Sequence, residues 1–100
     1  MKQQVRGRAV GVFLAAGNGQ VAAQLSARGF EQDRASEVAD AAKMFADDEA
    51  DYLSRKLMPR SAWPGSAVIR RYVDRSRESC WLMLSYEEAQ GWRLDAVLVD

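Results

Sequence analysis

The chain of 100 residues has no histidine, one cysteine and two prolines, and no run of apolar residues long enough to cross a bilayer. Each absence removes a class of function. Without imidazole there is no Ser-His-Asp or Cys-His nucleophile and no zinc site that requires histidine. Cys80 alone can neither close an internal disulfide nor furnish a cysteine-rich zinc site. It lies in the apolar "SCWLML" with no base beside it, so it reads as a small core residue rather than a nucleophile. Catalysis would fall to carboxylates, lysine, arginine or tyrosine, and no constellation of these stands out. The expectation is a non-enzyme with no metal and no cofactor. The lack of an apolar stretch of about 18 residues excludes a membrane-spanning helix. "MKQQVRGRAVGVFLAAGNG" begins as a signal peptide does, but its apolar part is short and interrupted. The chain is therefore expected to be cytoplasmic, as a single domain over 1–100.

One motif suggests a cofactor. Val10–Leu14 is apolar and leads into Gly17-Asn18-Gly19-Gln20-Val21-Ala22, which satisfies G-x-G-x-x-[GA], and a helical Val21–Arg28 follows. In a dinucleotide-binding fold such glycines let pyrophosphate approach the N–H groups of a helix N-terminus. That fold also needs a second parallel strand after the helix, ending in an acidic residue for the ribose. Here Phe30 is followed by the polar, helix-periodic "EQDRASEVADAAKMFADDEADYL". With no second strand, Gly17 and Gly19 punctuate a turn.

Net charge is zero, but the charges are sorted along the chain. Residues 1–30 hold four basic and no acidic groups, residues 31–51 carry −6, residues 52–77 carry +6 and the remainder carries −4. Twelve of the 16 alanines lie in the first fifty residues, whereas Trp63, Trp81 and Trp92 all lie after them. Alanine favours helix, while aromatic and β-branched residues favour strand. The changeover falls at "KLMPRSAWPGS", a connector by its prolines and glycine.

These patterns predict an α+β fold: N-terminal helices, one of them long and amphipathic over about 33–57, packed on a C-terminal antiparallel β-meander of two to three strands. In the long helix Asp33, Glu37, Asp40, Asp47, Asp48 and Asp51 share a sector roughly 100° wide, with Val38, Ala42, Phe45, Tyr52 and Leu53 opposite. Asp33 is the expected N-cap, and Pro59 stops the run. A shorter helix, Val21–Arg28, closes at Gly29. Residues 5–16 fit both a strand and a helix, as do residues 67–75. "CWLMLSY" and "WRLDAVLV" alternate with period two around a hairpin loop over 87–91. Strict alternation places Trp81 and Met83 on one face with Val97 and Val99, and Cys80, Leu82, Leu84 and Tyr86 on the other. "CWLMLSYEE" and "GWRLDAVLV" resemble the last two strands of NTF2-like α+β domains over the final thirty residues or so, which implies a small-ligand-binding domain.

Three surfaces are candidates for function. Asp40, Asp47, Asp48 and Asp51 form an acidic helix face suited to a protein partner with a basic surface. Trp81 and Met83 form an aromatic patch if helices cover only the other side of the sheet, which adds a homodimer to the candidate partners. Arg70, Arg71, Tyr72, Arg75 and Arg77 interleave arginine with an aromatic ring, as nucleic-acid-binding surfaces do. The best fit is a small non-catalytic protein-binding module acting as regulator, adaptor or inhibitor, ahead of a nucleic-acid binder and an NTF2-like ligand-binding domain.

Overall fold

A computed structural model describes residues 6–65 and 67–99. The elements run β1 (Arg6–Phe13), a 3-10 turn (Leu14–Ala16), α1 (Asn18–Ala27), α2 (Gln32–Arg55), a second 3-10 turn (Arg60–Ala62), β2 (Ala67–Val73), β3 (Ser79–Glu87) and β4 (Gly91–Val99). The α+β expectation is met, with two helices preceding a three-stranded meander. The sequence-ambiguous N-terminal segment is a strand that joins the sheet next to β4, giving the antiparallel order β1-β4-β3-β2. The ambiguous segment around 67–75 is also a strand. None of the helices among the described residues is long and apolar enough to cross a membrane.

Both helices end in the same way. In α1, Phe30 N–H donates to the Leu25 carbonyl and Gly29 N–H to that of Ser26, with Gly29 at φ 99°. In α2, Met58 N–H donates to Leu53 and Leu57 N–H to Ser54. This paired closure requires a left-handed residue just past the helix, where glycine carries no penalty. In α1 that residue is a glycine; in α2 it is Leu57, at φ 60° and 89% exposed. The long helix starts one residue before the expected boundary, and the capping position belongs to Glu31 rather than Asp33 because the chain is already helical at Gln32.

The core is a single layer between the helices and one face of the sheet. Val21 and Leu25 of α1 and Ala35, Val38, Ala39 and Ala42 of α2 meet Leu82, Leu84, Leu94 and Val97 of the sheet, all at or near zero exposure. Burying each leucine contributes roughly 1.5–3 kcal/mol. Trp63 is buried outside this cluster. Its indole donates to the Met58 carbonyl at 3.1 Å, and its ring meets Tyr86 edge-on at 5.2 Å. Tyr86 in turn meets Trp92 at 5.2 Å.

A bulge corrects the expected facing of β4. Ala96 pairs with Met83 and Leu94 with Leu84, which leaves Asp95 without an opposite residue on β3. On the other side Val10 and Gly11 of β1 oppose this one residue, with Gly11 at φ 68°. The extra residue reverses the alternation. Leu94 and Val97 therefore both face the helices, and Val97 does not join Trp81 as strict alternation requires. Leu98 pairs with Trp81 and Ala96 with Met83 on the opposite, open face.

Leu57 yields a stability prediction. A left-handed conformation costs an L-residue roughly 1–2 kcal/mol, part of which glycine returns as unfolded-chain entropy. Leu57→Gly is expected to stabilise the fold by about 0.5–1 kcal/mol in urea unfolding, and Leu57→Val to destabilise it.

Candidate functional site

The acids of α2 divide into two sets. Glu37 and Glu49 turn toward β2. The Glu37 carboxylate accepts the Tyr72 hydroxyl at 2.9 Å and the Arg75 backbone N–H at 3.3 Å, and lies 3.7 Å from the Arg75 guanidinium. Glu49, on the core-facing side of the helix, pairs with Arg70 at 2.9 Å. Glu37 thus leaves the acidic sector in which helical spacing places it. Asp40, Asp47, Asp48 and Asp51 stay exposed on the outer side. Among the described residues Asp47 and Asp51 have only on-helix partners one turn away, Lys43 at 3.1 Å and Arg55 at 2.9 Å. Such exposed pairs are worth about 0.3–0.5 kcal/mol each. Asp48 has no ion pair among the described residues. Tyr52, expected on the buried stripe, is half exposed, and the Lys56 ammonium sits 5.3 Å from its ring centre.

Asp40 stands apart from the other three. Its carboxylate accepts the Asn18 side-chain amide at 2.8 Å. Asn18 is the first residue of α1, so an anion of the same chain stands at the positive end of that helix. The glycine motif therefore serves as an element boundary. Gly17 supplies a φ of 97° at the N-cap, and the preceding strand is an edge of an antiparallel sheet.

The basic stretch is split by the sheet's pleat. Arg70 and Tyr72 point to the helix side, where Glu49 and Glu37 hold them, while Arg71 pairs with Trp81 on the open face. Arg34 of α2 reaches across to Asp74 at 2.9 Å and to Glu78. A continuous aromatic-and-arginine platform is not formed, because the tyrosine ring is spent on an internal contact. Burial first, then the hydrogen bond to Glu37 and the negative charges of Glu37 and Asp74, raise the Tyr72 phenol above its ordinary value.

Among the described residues no helix covers the open face of the sheet. Trp81 is 38% exposed, and Ile69 and Val73 are 55% and 49% exposed. Met83, Leu98 and Ala96 lie half-buried beside them. Trp81 and Met83 and the four aspartates are therefore on opposite sides of the molecule, two surfaces rather than one.

Concavities are shallow and open. The one flanking the start of α2, about 420 Å³, is lined by Glu31, Asp33, Glu37 and Asp40 with Arg34 and Arg75 and is predominantly acidic. Another, about 750 Å³, lies between β1, Gln24, Arg28 and the loop at Ala89. Neither is the deep chamber with convergent polar groups that a small ligand requires. Among the described residues no group of three or more carboxylate or thiol side chains could hold a metal ion.

The raised phenol of Tyr72 gives a pH prediction. The folded protein keeps this proton to higher pH than the unfolded chain does. The associated stability is therefore present below about pH 10 and lost as pH rises through the folded-state value. Urea unfolding between pH 8 and 11 is expected to show this alkaline loss, and Tyr72→Phe to reduce it.

No protein-family model, no curated protein and no solved structure matches the chain, so function is read from this geometry alone.

Proposed function

We propose that this chain is a small non-catalytic protein-binding module, a regulator, adaptor or inhibitor whose outer α2 face receives a cationic surface of a partner protein. The observation that carries the reading is the sorting of the acids. The negative charge needed to neutralise Arg70 and Arg75 comes from Glu49 and Glu37, and Asp40, Asp47, Asp48 and Asp51 remain turned outward. Like charges one turn apart, such as Asp47 and Asp51, cost an isolated helix a few tenths of a kcal/mol. A concentrated negative face accelerates encounter with a cationic partner, and salt suppresses the effect. The acidic cleft that includes Asp40 offers a place for a basic side chain of that partner.

A second surface of the same module is the open sheet face, favoured by the exposure of Trp81 beside Met83, Ile69 and Leu98. Exposed aromatic and methionine side chains on a flat sheet suit contact with another apolar face, a second copy of the chain included.

Asp47→Lys/Asp48→Lys tests the first surface. Neither residue bridges to another element, so the melting temperature is expected to stay within about 2 °C, the scale of a small surface effect. Proteins captured by the wild-type chain from host lysate at low salt are expected to be depleted in captures with the variant, and at high salt. Identical captures by both folded proteins would refute the acidic-face reading.

Trp81→Lys tests the second. Sedimentation is expected to show a wild-type dimer and a folded monomeric variant. A wild type that stays monomeric at every accessible concentration refutes the homodimer.

A further inference from the structure

The two edges of the sheet are finished differently. At β1 the Arg28 guanidinium bonds to two consecutive carbonyls, Ala9 at 3.2 Å and Val10 at 3.0 Å. The bulge at Gly11 bends the strand at the same place. A charged side chain on the backbone and a bulge are both devices that stop an edge from accepting another strand. The opposite edge, β2, has no bulge, glycine or proline. Its seven residues run in unbroken register with β3 from Ala67 to Val73.

The side chains along β2 select what could be added. On the open face Ala67, Ile69, Arg71 and Val73 follow one another at every second residue. Ile69 and Val73 are half exposed, and Arg71 stands exposed between them with no ion pair among the described residues. On the helix side the charge of Arg70 is already met by Glu49. The turn that follows adds Arg75, whose side chain is 91% exposed, and the exposed Arg77. Arg75 is met by Glu37 at 3.7 Å, so among the described residues the uncompensated positive charge at this end of the open edge belongs to Arg71 and Arg77.

We propose that β2 is a docking edge for an extended segment of a partner protein. That segment carries an acidic residue with an apolar residue two positions before it and another two positions after it. Side chains of an added strand alternate between faces, so this spacing sets the acid against Arg71 and the apolar pair against Ile69 and Val73. The backbone ladder supplies binding strength, and the alternate side chains supply selectivity. A second copy fits less well. Antiparallel self-pairing centred on Arg70 sets Arg71 of each copy opposite Ile69 of the other, so the exposed arginine gains no acidic partner. This surface is separate from the acidic face of α2, and its ligand has the opposite charge.

The probe is a fluorescein-labelled, end-capped heptapeptide Thr-Val-Thr-Glu-Thr-Val-Thr, followed by anisotropy and by amide exchange of the full chain. The wild type is expected to prefer it about five- to ten-fold over the peptide with lysine in place of the central glutamate. Arg71→Gln should level this preference and Arg71→Glu should reverse it, with unchanged circular dichroism. Methylating the peptide's backbone nitrogens should abolish binding, and exchange should slow at β2 amides alone. Asp47→Lys/Asp48→Lys should bind the peptide as the wild type does, which separates this edge from the α2 face. The proposal is overturned by any of three results: no saturable binding of the glutamate peptide, equal binding of its methylated form, or a preference unmoved by Arg71→Glu. Protection of β2 amides in a self-associated chain without peptide would also overturn it, by assigning the edge to a second copy.

Discussion

Two helices, one of only ten residues, have to cover a four-stranded sheet, and they cover one side of it. Most of the buried apolar side chains are gathered in the layer between them. Alanines at Ala35, Ala39, Ala42 and Ala46 make the α2 surface low enough for close packing, and leucines from three segments fill the remaining space. The second sheet face is left with Trp81, Ile69 and Val73 in contact with water.

The same layering decides which charges meet. α2 lies over the sheet, so carboxylates on its flank reach β2 and those on its crest do not. The two acids that bridge to β2, Glu37 and Glu49, have the longer side chain, and the other five acids of α2, Asp33, Asp40, Asp47, Asp48 and Asp51, are all aspartates. A shorter side chain holds its charge near the helix and favours a fixed surface potential over a reach across to a neighbour. Neutrality of the whole chain therefore coexists with a negative crest on α2 and a positive end on β2.

The edges and ends carry the local irregularities. Gly11 and Asp95 form a stacked pair of extra residues that lets Leu94 and Val97 both enter the core, and Arg28 closes the backbone that the bulge disturbs. At the far end Leu57 holds a conformation suited to glycine, fully in solvent. Both are features of backbone geometry, and neither leaves a periodic trace among the side chains.

Local periodicity was enough for the parts of this protein that depend on neighbours in sequence. The long amphipathic helix, the Gly29 closure, the β3–β4 hairpin (its loop 88–90, since Glu87 and Gly91 are paired) and the acidic sector follow from spacings of two, three and four residues, because the physics that sets them acts over those distances. The excluded chemistries followed from composition, since a missing histidine is missing in any fold. Residues 5–16 and 67–75 satisfied two periods at once, and only pairing with β4 and β3 made strands of Arg6–Phe13 and Ala67–Val73 within them. The facing of Val97 depended on one unpaired residue, Asp95, visible only once three strands lie side by side. Whether Glu37 stayed with the outer aspartates or turned to Tyr72 was a matter of which strand came to rest beneath it. The exposure of Trp81 depended on which side of the sheet the helices took. Contacts between segments far apart in sequence decided these points, because register, layering and reach are properties of two elements together.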